Sequence, residues 1–110
     1  MLSFETRVKA DGFSRLGRDI QAELAGIVEQ SGKDLAAEAA RRAPVDTGAL
    51  RDSIHSEMTG PLEATVSDGV EYGIYQEFGT SRTPAQPWLG PAAQATAPEF
   101  VRKVGEAVGA

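Results

Sequence analysis

Asp46-Thr47-Gly48 is the triplet that supplies the catalytic carboxylate in aspartic proteases, and 110 residues is the size of a retroviral-type protease subunit. That chemistry needs two carboxylates about 3 Å apart sharing one proton, so that one acts as acid and the other as base. A homodimer supplies one Asp per chain, each from a tight loop entered by a buried apolar strand. Here Asp46 follows Arg41-Arg42-Ala43-Pro44-Val45, which reads as a helix end and a proline break. Leu50-Arg51 stands where an acidic residue would be needed, and no later apolar-apolar-Gly strand is convincing. The residues fit a connector better. Pro44 ends the helix, Asp46 and Thr47 bond nearby backbone N–H groups or cap a short turn, and Gly48 allows a left-handed turn. The protease stays as the alternative reading, and the discriminating feature is whether a helix or a buried strand leads into Asp46.

Other catalytic constellations are thinner. His55 is the only histidine, and there is no cysteine. A solitary imidazole without thiolates or paired carboxylates makes a poor metal or acid–base centre. Ser53 and Ser56 lie close to it in sequence, but on a strand residues 53, 55 and 57 share a face without forming a triad. The glycines at 69, 73, 79 and 90 fit neither a phosphate-binding loop nor a dinucleotide fingerprint. No catalytic, cofactor-binding or metal-binding residue is expected.

Charge narrows the partners. The net charge is −5, and it is unevenly placed. Between Asp46 and Glu77 seven carboxylates face one basic residue, Arg51. Such a segment repels phosphate backbones, which argues against sequence-specific nucleic-acid binding. It reads as a solvated acidic surface, or as the lining of a passage through which DNA slides. No apolar run nears the ~20 residues of a membrane span and no signal peptide is visible, so a soluble, cytoplasmically made protein is expected.

The elements that must position these residues follow from periodicity. Leu2, Phe4, Thr6 and Val8 alternate with polar residues, as in a half-buried strand. Phe13, Leu16, Ile20, Leu24, Ile27, Leu35 and Ala39 then mark one face of an amphipathic helix over roughly 12–42, with Ser31 as a polar exception. Gly26 and Gly32 weaken that helix, and Ser31-Gly32-Lys33-Asp34 could kink or restart it. Residues 53–59 and 62–67 read as strands around a Gly60-Pro61 turn, and residues 72–78 as a short helical or irregular segment. A proline-containing loop over 79–90, anchored by Trp88, leads to a last helix opening at Pro91, reaching about Val108 and disturbed at Pro98. The sum is a single α+β domain over 1–110. A long N-terminal amphipathic helix and a C-terminal helix pack on a small antiparallel sheet.

Two segments together are more specific than any of these. Residues 43–54, "APVDTGALRDSI", pair with 72–80, "YGIYQEFGT", which lead into 84–92, "PAQPWLGPA". This combination resembles the tailed-phage family named for gene product ten of a lambdoid siphophage, a family of tail components related to minor tail protein Z and to neck and tail-completion proteins. The resemblance spans roughly 12–108. Trp88 stands where phenylalanine is usual, Gly90 replaces a frequent arginine, and Ala49 takes a position that is often long or basic. It implies a non-enzymatic virion structural protein without cofactors. Such a protein forms a ring of copies of itself, six being usual, at the head–tail junction. It acts in head–tail joining, tail completion or as a tail terminator, and it meets neighbouring neck and tail proteins. It works in the virion after assembly in the host bacterial cytoplasm, with no membrane partner.

In that setting Pro44, Asp46, Thr47 and Gly48 form the family's turn. Tyr75, Glu77, Phe78, Gly79, Thr80, Pro87 and Trp88 are the candidate interface, combining apolar anchors with proline stiffness. For Tyr72, Phe78 and Trp88 the residues alone leave two uses open, docking to a neighbour or plugging the domain's own core.

Overall fold

A computed structural model of the chain describes residues 5–10, 17–43, 48–68, 77–78 and 87–109. Within them the order is β1 (Glu5–Lys9), α1 (Arg18–Arg42), α2 (Ala49–Ser53), β2 (His55–Gly60), β3 (Glu63–Ser67) and α3 (Leu89–Ala107). The strands form one antiparallel sheet in the order β1-β3-β2. The α+β architecture is the expected one, and α1 lies across one face of the sheet while α3 packs along α1.

Side-chain alternation sorts the sheet into two faces. Thr6 and Val8 share the helix-facing side with Val66 and Ala64 on β3 and with Ser56 and Met58 on β2, whereas Arg7, Thr65 and Glu57 form a row on the other side. Between Met58 and Gly60 the register shifts, leaving Thr59 as an extra residue whose hydroxyl lies 2.9 Å from that of Thr65. Pro61 and Leu62 close the hairpin, and the Leu62 carbonyl accepts the Ala10 N–H at 2.8 Å, extending the β1–β3 pairing.

The core has two linked parts. Leu35, Ala39, Ala43, Leu50, Val66, Trp88, Leu89 and Ala92 make one, and Ala10, Leu24, Val28, Leu62 and Ala64 the other. Val8 touches both. The buried line of α1 is Leu24, Val28, Ser31, Gly32, Leu35 and Ala39, so Val28, rather than the expected Ile27, occupies the centre of the face. Phe13 and Leu16 of the expected stripe, like Leu2 and Phe4 of the first strand, lie outside the described residues.

Several local expectations are corrected. α1 runs unbroken through Ser31-Gly32-Lys33-Asp34, with no kink or restart. Gly32 is there for proximity: a Cβ on it would collide with Ser56 Oγ and stand 3.0 Å from Ala64 Cβ. Residue 53 ends a short helix instead of opening a strand, and its Oγ donates to the Leu50 carbonyl at 2.8 Å. The last helix starts two residues before Pro91 and continues through Pro98. Pro98 lies in its exposed part, where a missing backbone donor leaves a carbonyl open to water. Of 72–78, only Glu77 and Phe78 are described, and they are helical.

Two glycines of α1 therefore respond oppositely to substitution. Gly26 has no atom within 4 Å of a would-be Cβ, so Gly26→Ala is expected to raise stability by up to about 1 kcal/mol. Gly32→Val is expected to lower it by about 2 kcal/mol through overpacking. Urea unfolding midpoints of both variants check the signs, and a neutral Gly32→Val would contradict the close approach.

Candidate functional site

The candidate assembly surface begins where α3 begins. A helix leaves its first backbone N–H groups without internal acceptors, and Ser, Thr, Asp or Asn usually supplies one from the preceding position. Here that position is Trp88, whose side chain makes no such bond. Glu77 does the work from eleven to thirteen residues away. Its Oε1 accepts the N–H of Trp88 at 2.9 Å and of Leu89 at 2.7 Å, and its Oε2 accepts that of Gly90 at 3.1 Å. The next residue is Pro91, which has no N–H, so the whole helix start is accounted for. Glu77 is buried at 8 % exposure. A carboxylate in that place also favours the positive end of the helix dipole, worth about 1–2 kcal/mol where partly buried. Gly90 makes room for it, because a Cβ there would come within 2.8 Å of Glu77 Oε2.

Trp88 has 0 % exposure and is the largest fully buried side chain, packed with Leu35, Ala39, Leu50, Val66 and Leu89. Of the two uses left open by the sequence, the structure gives the core one. A residue with no accessible surface in the single chain does not present itself to a neighbour, and the expectation of Trp88 as an interface anchor is corrected. Glu77 is likewise turned inward as a cap. Phe78 is 67 % exposed, and Pro87 is exposed. They flank the connection between Glu77 and Trp88 and are the surface part of the expected interface. Tyr72, Tyr75, Gly79 and Thr80 lie outside the described residues.

The turn motif is partly visible. Gly48 adopts φ 74, ψ −11, the left-handed conformation expected of it, and precedes α2. Pro44, Asp46 and Thr47 lie outside the described residues. Their flanks are helical on both sides, α1 ending at Arg42 and α2 opening at Ala49, with Ala43 buried. Among the described residues, the elements on either side of the motif are helices.

The acidic stretch is also redistributed. Glu63 pairs with Arg7 at 3.2 Å and Lys9 at 3.8 Å, Asp68 is buried, and Glu77 caps α3. Of the carboxylates described between 48 and 77, Asp52 and Glu57 remain exposed. A continuous acidic lining is not what these residues build. Elsewhere, Arg41 and Arg42 both bond Glu38 and hold its carboxyl below the usual range. Arg102 bridges Glu99 and Glu106, and the hydrogen bond from Arg102 lowers Glu99 similarly.

The hydroxyl within hydrogen-bond reach of the His55 ring is that of Ser67. Nε2 lies 3.4 Å from Ser67 Oγ, its directly opposite neighbour across the sheet, and Nδ1 lies 2.9 Å from the Ser53 carbonyl. Cross-strand registration accounts for this pair. Among the described residues no group of three or more His, Cys, Asp or Glu side chains could hold a metal ion, and no described helix is long and apolar enough to cross a membrane.

A family model described as "Bacteriophage HK97-gp10, putative tail-component" matches residues 10–79. The chain belongs to this HK97-gp10-like family. It is thereby a bacteriophage tail protein, and its place is the virion, among other tail proteins. Curated proteins and solved structures contain no match. The family match includes Gly48 and Glu77 and stops before Trp88, although the Glu77 carboxylate is completed by backbone beyond it.

Trp88→Ala is expected to cost about 3–5 kcal/mol of stability, a large share of a domain's typical 5–15 kcal/mol. Glu77→Ala is expected to cost about 2–3 kcal/mol by leaving buried donors unmet. Thermal unfolding followed by circular dichroism measures both. A Trp88→Ala protein with wild-type stability would return that residue to the surface.

Proposed function

We propose that the chain is a non-enzymatic structural protein of the phage neck, forming a ring at the head–tail junction that completes the tail or joins it to the head. The family match over residues 10–79 carries this reading. Its partners are further copies of itself, in a ring taken as hexameric, and the neck and tail proteins above and below. DNA passes through such a ring without sequence-specific contact. The particle is a phage, a prophage product or a gene transfer agent. The helical flanks of Asp46 support a structural turn over a protease loop.

Phe78 and Pro87, with Tyr75, Gly79 and Thr80, form the proposed docking surface. An exposed aromatic beside a residue pinned by three hydrogen bonds loses little freedom on association.

Electron micrographs of particles made without this chain test the role. Full heads and unattached tails are expected, and normal virions would refute it. Complementation with Phe78→Asp is expected to restore folded protein but few joined particles. Complementation with Asp46→Asn is expected to abolish no proteolytic activity, and pepstatin-sensitive cleavage by the wild type would revive the protease reading.

A further inference from the structure

The sheet has two open edges. Among the described residues, the order β1-β3-β2 leaves the outer sides of β1 and β2 without a strand neighbour. Such edges present rows of backbone donors and acceptors that another strand can pair with. The β1 edge opens onto a groove of about 540 Å³, lined by four successive residues, Thr6 to Lys9, by Leu35 of α1, and by Ala93 and Phe100 of α3. The lining is mainly apolar, although it also includes Asp34 and Glu99, and such walls beside an open edge suit an added strand, with main-chain bonds on one side and side-chain pockets on the other.

The opposite edge of the same molecule carries matching features. Met58 is 37 % exposed, yet its directly opposite partner, Ala64, is fully buried against α1. Met58 is therefore an uncovered apolar side chain on the helix-facing side of β2. Glu57 points to the other face and is exposed, in the row that begins with Arg7. Arg7 and Lys9 share Glu63, and Arg7 also meets Glu5, but the two cations keep 50 % and 49 % of their side-chain surface accessible.

We propose that β2 of one copy adds to the β1 edge of the next, seating Met58 in the groove beside Val8 and placing Glu57 beside Arg7. This deepens the ring reading above and rests on it. β1 and β2 are both antiparallel to β3, so they run parallel to each other and the added pair is parallel too. With side chains alternating every residue, Ser56 and Met58 continue the helix-facing row of Thr6 and Val8. His55 and Glu57 continue the outer row of Glu5 and Arg7. Opposite charges on neighbouring strands favour that register over a one-residue slip, which would turn Met58 to the polar face. The two surfaces differ, so the contact is head-to-tail, the type that closes into rings when its rotation divides a full turn.

The chain has no cysteine, which makes disulfide trapping clean. Oxidising concentrated Arg7→Cys/Glu57→Cys protein is expected to give a ladder of trimers and larger species on a non-reducing gel, collapsing with reductant. Either single variant should stay largely monomeric. Arg7→Cys/Asp52→Cys, with the second cysteine off the strand, should give no ladder. Glu5→Cys/His55→Cys reports the same register if the first pair folds poorly by circular dichroism. Adding Met58→Asp is expected to cut ladder yield at least tenfold without changing the melting temperature by more than a few degrees. Absence of the ladder in both pairs, efficient dimers from Arg7→Cys alone, or a ladder indifferent to Met58→Asp would each overturn the proposal. Separated heads and tails in the deletion strain without a ladder would remove edge pairing and leave the neck role. A ladder with normal virions in that strain would do the reverse.

Discussion

One carboxylate holds the C-terminal third of the molecule in place. Glu77 receives the backbone N–H groups of Trp88, Leu89 and Gly90, and through them fixes where α3 starts and how Trp88 enters the core. Trp88 shares one buried cluster with Leu35 and Ala39 of α1, Leu50 of α2 and Val66 of β3. The cap thus couples a residue outside the sheet to every layer of the fold. Without it, buried donors would oppose the burial of the indole, since unmet backbone groups cost about as much as a large side chain gains.

The second constraint is distance. α1 sits close enough to the sheet at Gly32 that no side chain fits between them, and Ser31 beside it is also buried. Small residues at that crossing let Leu24 and Val28 reach Ala64 on one side, while Leu35 and Ala39 reach Val66 and Trp88 on the other. Val8 joins the two halves from the edge strand, so the packing that stabilises the core also sets the shape of the groove next to β1.

The elements with a clear period were legible in the sequence. Alternation through Thr6 and Val8, the three-to-four spacing along α1, the Gly60-Pro61 turn and the left-handed Gly48 all follow from local rules. Long-range contacts were harder. Gly32 looked like a helix flaw because propensity is local, whereas its value lies in Ser56 and Ala64, more than twenty residues away. Trp88 was ambiguous because an indole serves a core and an interface equally well, and only its neighbours decide. Glu77 stands among the interface candidates only by its position in a motif. A signal did exist: the segment Trp88-Leu89-Gly90-Pro91 opens a helix with no capping side chain, so an acceptor had to arrive from elsewhere. The nearest preceding carboxylate is Glu77.

The clasp between Glu77 and the start of α3 also sets what the chain between them costs. Its ends are tied by hydrogen bonds and a buried indole, so the connection between them is closed whatever its composition. Loop-closure entropy grows only as the logarithm of length, about 0.6 kcal/mol per doubling. Added chain length between Phe78 and Pro87 is therefore cheap to the fold, because Glu77 and Trp88 already fix the two ends.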